Sequence, residues 1–319
     1  MKLKDIGETG ALEKIFEIVR ELYPSEKLPL GDDASYIESH NLVLSIDGYS
    51  ALKSKYPWET WRTWGWRAVV ASISDLIAKG ARPIALLVSI GLPSEYEYSV
   101  LEDIMNGVAE AVREHKLVFA GGDLNSSVKD PWIDVASIGE LVLPEPIARR
   151  GAKPGDNVYT TLVNGYGVNG FIVKAYYKGI AGFEDRVGEV KPRAVREFLG
   201  IAARIKPSAS IDVSDGLLKS LWLLASSSSV RIDLEKLPDN PQAEELCRYY
   251  GIDYQEAILE GGEEYEIIFT TPVEPSEVYS VCREEGAECM FLGKVEAGEP
   301  GVFFGNSKLE VKGWDQFKC

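Results

Sequence analysis

A short buried strand followed by two glycines and an aspartate places the strongest constraint on how this chain folds. Leu117–Ala120 are apolar, which is typical of a buried strand, and Gly121 and Gly122 free the backbone to turn sharply. The sequence therefore predicts that Asp123 stands at the mouth of a turn. Leu42–Ile46 is a second apolar run of this kind, and it also leads into a carboxylate.

Acidic residues recur at the ends of predicted strands and in glycine turns along the chain. One aspartate in such a place is ordinary, because aspartate fits turns and caps helices. A whole series of them, in a chain with only 2 histidines, favours the binding of hard cations. Mg²⁺ prefers oxygen ligands and commonly bridges carboxylates to substrate phosphates. The acidic sites are Gly31-Asp32-Asp33, Asp47, Ser74-Asp75, Asp123 and the pair Asp212 and Asp215.

Length and charge limit the class of protein. At 319 residues the chain is long enough for two domains, and its 45% hydrophobic and 26% charged residues are typical of a soluble globular protein. A net charge of -16 argues against non-specific nucleic-acid binding, so an anionic substrate would need a metal ion or a local arginine. The sequence has no long apolar run and no signal-peptide pattern at its start, so we expect a cytoplasmic protein without membrane partners.

The cysteines and histidines form no recognisable site in the sequence. His40 and His115 lie in polar surroundings at the ends of elements and are interpreted as surface residues, so histidine acid–base chemistry is not expected. The four cysteines lack CxxC spacing, and we expect free thiols rather than a disulfide or a metal site. They are Cys247, Cys282, Cys289 and Cys319.

Hydrophobic periodicity divides the chain into two α+β blocks. The first ends near Pro144 and Gly151–Asp156 forms the entrance to the second, which predicts domains at 1–144 and 145–319. The segment Lys53–Trp66 is interpreted as a loop and the start of a helix. Helices are predicted at 11–22, 67–79, 98–115, 193–204, 217–226, 242–250 and 275–285. Strands are predicted at 42–46, 84–90, 117–120, 132–141, 158–163, 266–270 and 301–304.

Two further motifs have both a structural and a functional interpretation. Gly165–Gly170 spells G-x-G-x-x-G, but no alternating βαβ pattern surrounds it, so a loop or helix start is favoured over dinucleotide binding. Arg149-Arg150 is either a solvated pair or a guanidinium grip on a nucleotide phosphate. The chain contains neither a P-loop sequence nor a G-x-S-x-G nucleophile motif.

A series of motifs along nearly the whole chain resembles, in order, those of the thiamine-monophosphate kinase family. The resemblance is specific because eight motifs appear along the chain in the same order as in the family. They are Gly31–Ala34, Ser45–Asp47, Ser74–Pro83, Gly121–Asp123, Arg149–Asp156, Asp212–Leu217, Gly262–Glu266 and Gly313–Phe317.

The resemblance implies the two-domain α+β fold shared with aminoimidazole ribonucleotide synthetase and selenophosphate synthetase. In that fold the N-terminal domains of two subunits pair into a β-barrel, so a homodimer is expected. The implied reaction is a Mg²⁺-dependent transfer of the γ-phosphoryl group of ATP to thiamine monophosphate, giving thiamine diphosphate and ADP. A phosphate acceptor is already anionic, so the reaction needs positioning and charge neutralisation rather than a protein base.

The resemblance also implies roles for individual residues. Catalysis is assigned to Asp47, Asp123 and Arg149, and ATP contact to Gly122, Asp123, Arg149 and Ser214. The acceptor is assigned to Ser54, Glu263 and Trp314, since a carboxylate can bond the aminopyrimidine and an aromatic ring can stack on a cationic one. The implied metal ligands are Asp32, Ser45, Asp47, Asp75, Asp123, Asp212 and Asp215.

Several positions depart from the family pattern. The family's substrate-side loop differs from Gly48–Lys55 here, and Ser54 stands at the position of a family histidine. Contact with the acceptor phosphate could come instead from Arg62, Lys53 or Lys55. A flat face for the thiazolium ring could come from Trp58, Trp61 or Trp64. The alternative is that this aromatic stretch is only a packed loop and helix start. Further substitutions are Ile46 for threonine, Ser72 for asparagine, Lys79 for methionine and Gln316 for histidine.

These departures keep two alternatives open. One is a kinase or ATP-dependent synthetase of the same superfamily that acts on another small acceptor. The other is a non-catalytic nucleotide-binding or assembly protein. Cys319 is similar to the reacting C-terminal cysteine of a hydrogenase-maturation dehydratase, but the other motifs of that protein are absent.

Overall fold

Helices and strands are mixed along the whole chain in the computed structural model, which describes residues 2–23, 25–305 and 307–311. The helices are α1 (Leu3–Val19), α2 (Ala51–Ser54), α3 (Trp61–Ala78), α4 (Tyr98–Glu114), α5 (Val168–Tyr177), α6 (Glu184–Val187), α7 (Phe198–Ile205), α8 (Leu217–Ser228), α9 (Pro241–Tyr250), α10 (Tyr254–Glu260) and α11 (Pro275–Glu284). The strands are β1 (Ser35–Ile37), β2 (Leu42–Ser50), β3 (Ala81–Leu92), β4 (Val118–Ser126), β5 (Trp132–Leu141), β6 (Asn157–Thr161), β7 (Ala209–Asp212), β8 (Arg231–Leu234), β9 (Ile267–Thr271), β10 (Cys289–Glu296), β11 (Gly301–Phe304) and β12 (Ser307–Lys308).

The first sheet has five strands in the order β1-β2-β5-β3-β4. Helix α3 packs against one face of this sheet and against α4 on its other side. For this reason α3 is buried along most of its length instead of on a single stripe. The N-cap Thr60 starts α3 by accepting a hydrogen bond from Thr63 N at 3.0 Å, and Gly80 with φ of 81° follows its end.

The second sheet has seven strands in the order β12-β11-β8-β10-β6-β9-β7. Strand β7 lies at its edge and packs against α3, so the two sheets meet there. Ser210 in β7 donates its backbone N–H to Ala148 O at 3.1 Å. The last strand of the first sheet ends at Leu141, and the first strand of the second sheet begins at Asn157.

The strand predicted to be buried at Leu117–Ala120 is longer and more exposed in the structure, where β4 runs from Val118 to Ser126. Gly121 and Gly122 do not form a turn, because β4 continues through Asp123 to Ser126 and pairs with β3 in parallel. A register shift between Leu86 and Leu87 absorbs the left-handed backbone of Gly121, whose φ is 130°. Asp47 likewise lies inside β2 rather than at its end. The turn predicted at each carboxylate was wrong, because cross-strand pairing continues past it.

Three other predictions need correction. Cys282 and Cys289 form a disulfide, since the turn between α11 and β10 brings their Cα atoms to 6.1 Å, and Cys247 is the buried free thiol. His115 is only 5% exposed because it packs beside Trp66. The N-terminal helix begins at Leu3, well before the predicted start.

None of the helices within the described ranges is long and apolar enough to cross a membrane.

Candidate active site

Four carboxylates from different parts of the chain converge where the two sheets meet. Asp33 follows the Gly31 turn, Asp47 lies in β2, Asp75 lies in the last turns of α3, and Asp212 ends β7. Oxygen atoms of Asp33, Asp75 and Asp212 all lie within 4.8 Å of one another. Asp47 and Asp75 are close enough for a side-chain hydrogen bond between them. A cavity of about 510 Å³ near Pro144 and Pro207 contains none of these groups.

Burial and mutual repulsion raise the pKa of three of these carboxyls. Burial raises the pKa of Asp47 to about 6, with further contributions from Asp215 and Asp33. Burial also raises the pKa of Asp212 to about 8, again helped by Asp33. The pKa of Asp75 lies well above its usual range because it is buried beside Asp47 and Asp212. Such shifts indicate that burial and neighbouring carboxylates outweigh the nearby positive charge at these three groups.

Asp33 is the exception because two cations contact it. Burial alone would raise its pKa, but the charges of Arg149 and Lys79 hold the pKa of Asp33 below its usual range. Arg149 Nε donates to Asp33 Oδ1 at 2.7 Å, and Arg149 Nη1 donates to Gly31 O at 2.6 Å. The side chain of Arg149 is 19% exposed, so one edge of it can still reach a ligand.

These carboxylates fit a divalent cation. Three of them already lie at the mutual spacing of a ligand set, and they offer the oxygen atoms that Mg²⁺ prefers. Asp212 Oδ2 is buried without a hydrogen-bond partner, which is costly unless something else contacts it. A bound cation would satisfy that oxygen and relieve the repulsion within the group.

The other predicted metal ligands are placed differently. Ser45 Oγ donates to Asp75 Oδ2 and so supports the cluster from β2. Both carboxylate oxygens of Asp32 contact protein groups, with Lys79 on one and Arg149 N on the other. Asp215 is 42% exposed and pairs with Lys219 at 2.5 Å, while the exposed Ser214 lies beside it.

Gly122 and Asp123 lie apart from this cluster within the single chain. Asp47 and Gly122 occupy one row of the sheet three strands apart, which is about 14 Å at the usual strand spacing. Asp123 lies in the neighbouring row, opposite Ser89, and so points to the other face of the sheet. It lines a shallow cavity of about 330 Å³ there, together with Asp134 and Ile46.

The predicted acceptor residues are partly engaged inside the protein. Glu263 forms an ion pair with the fully buried Arg67, and its backbone adopts a left-handed φ of 60°. Ser54 Oγ donates to Ser50 O at 2.9 Å and accepts from Trp64 Nε1 at 3.0 Å. Trp314, Gln316 and Cys319 lie outside the described residues.

The tryptophan-rich stretch before α3 is mainly packing. Trp64 is fully buried, and Trp61 packs edge-on against it at 5.5 Å between ring centroids. Trp58 stacks on Tyr56 at 5.3 Å. Lys55 lies over the Trp61 ring and Arg62 pairs with Glu110, so these cations also have internal partners.

The G-x-G-x-x-G run binds carboxylates of the protein itself. Gly165 N donates to Glu266 Oε1 at 2.9 Å, and Gly167 N donates to Glu264 Oε1 at 2.7 Å. A Cβ on Gly170 would lie 1.8 Å from Ala257 O, so this glycine permits the close approach of α5 and α10. The structural interpretation of the motif is therefore the one that the contacts favour.

Sequence reasoning did not assign a role to two cations, Arg67 and Lys79, and it named Asp32 rather than Asp33, the member of the pair that lies in the cluster. The Asp-Asp dipeptide gives no sign of which carboxylate faces the cluster, since that depends on the turn at Gly31. Arg67 carried a usable signal, because a charged residue within an otherwise apolar helical stretch usually has a buried partner. Lys79 was visible only as a departure from the family pattern.

Residues 31–141 match the family described as AIR synthase related protein, N-terminal domain. This first part of the chain is therefore similar to the N-terminal domain of the AIR synthase-related class. A thiamine-monophosphate kinase of Aquifex aeolicus is 32% identical over 99% of this chain and 100% of its own length. One of Pyrococcus abyssi is 31% identical over 91% of each chain. The chain belongs to the thiamine-monophosphate kinase family.

A solved structure supports the same assignment. AaThiL complexed with AMPPCP and TMP superimposes with a TM-score of 0.84 at 28% identity and covers 99% of both chains. The α+β fold of the AIR synthase-related class, expected from the sequence motifs, is confirmed.

Proposed function

We propose that this protein transfers the γ-phosphoryl group of ATP to the phosphate of thiamine monophosphate, with Mg²⁺ bound at the carboxylate cluster. The observation that carries the proposal is the convergence of Asp33, Asp75 and Asp212 within 4.8 Å. The relatives named thiamine-monophosphate kinase, and the structure with AMPPCP and TMP, support the choice of substrates.

Charge neutralisation is the chemistry that this cluster can supply. Mg²⁺, when bound, would offset the negative charge of the transferring phosphoryl group. Asp33, Asp75 and Asp212 would hold it, with Asp47 beside them and Ser45 fixing the orientation of Asp75. No buried histidine or lysine is needed as a base, because the acceptor phosphate is already anionic.

Nucleotide and acceptor contacts are proposed on either side of the cluster. Arg149 and Ser214 have exposed atoms next to it and suit ATP phosphates. Glu263 suits the acceptor because the ion pair with Arg67 fixes the orientation of its carboxylate. Ser54 already bonds Ser50 and Trp64, so its hydroxyl is a weaker candidate than the family histidine that it replaces.

The pairing of two chains is proposed from the uncovered face of the first sheet. Ile46 is 69% exposed and Leu87 is 40% exposed on the face opposite α3. A homodimer that joins these faces would bury this apolar surface and complete a barrel. It would also place Asp123 at the interface, and we propose that Gly122 and Asp123 contribute to the metal and nucleotide site only in that assembly.

The direct test is ADP release from ATP and Mg²⁺ with thiamine monophosphate, compared with thiamine and with other small phosphorylated acceptors. We expect turnover with thiamine monophosphate and formation of thiamine diphosphate. Asp75→Asn should lower kcat at least 100-fold while the protein stays folded, because the substitution removes a ligand charge rather than packing. ATP binding without product, together with turnover of another acceptor, would reassign the substrate and leave the kinase class intact.

A further inference from the structure

Lys79 is a fully buried lysine at the C-terminal end of α3, directly beside the carboxylate cluster. Its Nζ atom lies 2.8 Å from Asp32 Oδ1 and 2.6 Å from Asp33 Oδ2. It also donates to the backbone carbonyl of Ser210 in β7 at 2.7 Å. From the C-terminal end of α3, the ammonium group thus joins the acidic turn to the edge strand of the second sheet.

The contacts of Asp32 explain what this lysine does to the cluster. Asp32 Oδ1 accepts from Asp33 N at 2.9 Å as well as facing Lys79, and Asp32 Oδ2 accepts from Arg149 N at 3.0 Å. Both oxygens of Asp32 are therefore occupied by protein donors. Asp33 is also engaged, by Arg149 at Oδ1 and by Lys79 at Oδ2, but unlike Asp32 it has an oxygen within 4.8 Å of oxygens of both Asp75 and Asp212. Asp212 Oδ2, by contrast, is buried without a hydrogen-bond partner and remains available.

We propose that Lys79 is a positioning residue that supplies a fixed positive charge to the cluster and holds Asp32 as its counter-ion. Asp75 and Asp212, with the Asp33 oxygen that lies within 4.8 Å of them, form the set that binds a divalent cation, while Asp32 stays outside it. The inference rests on the metal dependence in the proposed function, but not on the identity of the acceptor.

Two physical consequences follow from a permanent ammonium at this position. It neutralises part of the repulsion among the acids before any metal is bound, so the empty cluster is more stable than one with metal ligands alone. It also repels a divalent cation a few ångströms away, so metal is bound less tightly than the number of carboxylates suggests. The family pattern has a methionine here, which would do neither, so the effect belongs to this chain.

Lys79→Met tests the charge, with Lys27→Met as the matched control. Lys27 also lies between two carboxylates, Glu38 and Glu145, but it does so at the surface and away from the cluster. Mn²⁺ binding to the full chain, without nucleotide or acceptor, would be followed by electron paramagnetic resonance, with circular dichroism as the check of folding.

We expect Lys79→Met to bind Mn²⁺ at least about tenfold more tightly than the wild type, since one nearby positive charge is removed and Asp32 is released. Lys27→Met should match the wild type within about twofold. Unchanged Mn²⁺ affinity in folded Lys79→Met would overturn the proposal. Lys79 would then only hold the acidic turn against β7.

A second pair of variants keeps the inference testable if Lys79→Met does not fold. Asp75→Asn and Asp32→Asn should both weaken Mn²⁺ binding, but the loss of affinity should be at least about tenfold larger for Asp75→Asn, because only Asp75 belongs to the binding set. Equal losses in the two variants would overturn the proposal. Absence of kinase activity alongside these binding results would count against the proposed function and not against the role of Lys79.

Discussion

The buried aspartates of the carboxylate cluster differ mainly in whether a positively charged side chain contacts them. Asp33 faces Arg149 and Lys79, and its pKa is held low despite burial. Asp75 and Asp212 face other carboxylates, and their pKa values are raised. Burial of an ionised aspartate is therefore compensated at one position and uncompensated a few ångströms away, depending on which elements meet around it.

The raised pKa values predict that the metal-free protein loses stability as pH increases. A folded-state pKa of about 8 for Asp212 means that the native protein holds a proton that the unfolded chain has released above about pH 4. Stability is thus present at low pH and is lost as pH rises through 8. We expect the melting temperature to fall between about pH 6.5 and 8.5, a window above the titration of unfolded His115.

Two controls accompany that measurement by differential scanning calorimetry. Asp212→Asn should flatten the decline, because the amide has no proton to release, and saturating Mg²⁺ should reduce it by stabilising the ionised carboxylates. A melting temperature that rises across this window in the metal-free wild type would contradict the assignment of a strained carboxylate cluster.

Arg67 offers a prediction about buried ion pairs. It is fully buried, pairs with Glu59 at 2.7 Å and with Glu263, and lies over the rings of Tyr49 and Tyr56. Arg67→Met should lower the free energy of unfolding by about 3–5 kcal/mol, because two carboxylates lose their buried partner.

Arg62→Met is the matched control for this substitution. Arg62 lies on the same helix as Arg67 and pairs with Glu110 of α4. Its side chain is 51% exposed, so the loss should be below about 1 kcal/mol. Urea denaturation at neutral pH measures both variants. If both variants lost less than about 1 kcal/mol of unfolding free energy, the Arg67 ion pairs would have to be accessible to solvent.

At the scale of elements, close contact between α5 and α10 depends on one glycine. A Cβ at Gly170 would lie 1.8 Å from Ala257 O, and a backbone atom cannot move aside as a flexible side chain can. Gly170→Ala should therefore destabilise the protein by about 2–3 kcal/mol even though alanine favours helix.

Gly10→Ala is the control for that element. The added methyl group in α1 would meet Ile6 Cβ at 3.2 Å, a side-chain contact near the surface, so stability should change by less than about 1 kcal/mol. Thermal unfolding of the two variants separates packing from helix propensity. Equal effects would show that the α5–α10 contact can relax.

For the whole molecule, the uncovered face of the first sheet predicts association of two chains. Leu87 lies in β3, an interior strand of the sheet, on that face and away from the carboxylate cluster, and is 40% exposed. Leu87→Arg should convert a dimer into a monomer in light scattering, because a charge cannot be buried in an apolar interface without a partner.

Val128→Arg provides the comparison, since Val128 is 91% exposed and lies outside the strands. It should leave the mass unchanged. A monomeric wild type at micromolar concentration would remove the basis for the paired barrel, and with it the proposed role of Asp123 at the interface.

The sequence by itself determined the order of motifs, the family and most of the elements. Trp132–Leu141 and Gly301–Phe304 begin and end as predicted, because a regular hydrophobic period depends only on neighbours along the chain. A group of carboxylates suited to a divalent cation was also predicted, because the sequence shows the number and type of acidic residues directly. These properties are local or compositional.

Only the tertiary structure decided which acid meets which partner. Asp33 rather than Asp32 faces Asp75 and Asp212, Lys79 reaches across to Ser210, and Cys282 meets Cys289. Asp123 and Asp47 look alike in sequence, yet they point to opposite faces of one sheet. Each of these outcomes depends on strand register and on how elements distant in sequence pack together. The pattern of neighbouring residues along the chain does not determine either.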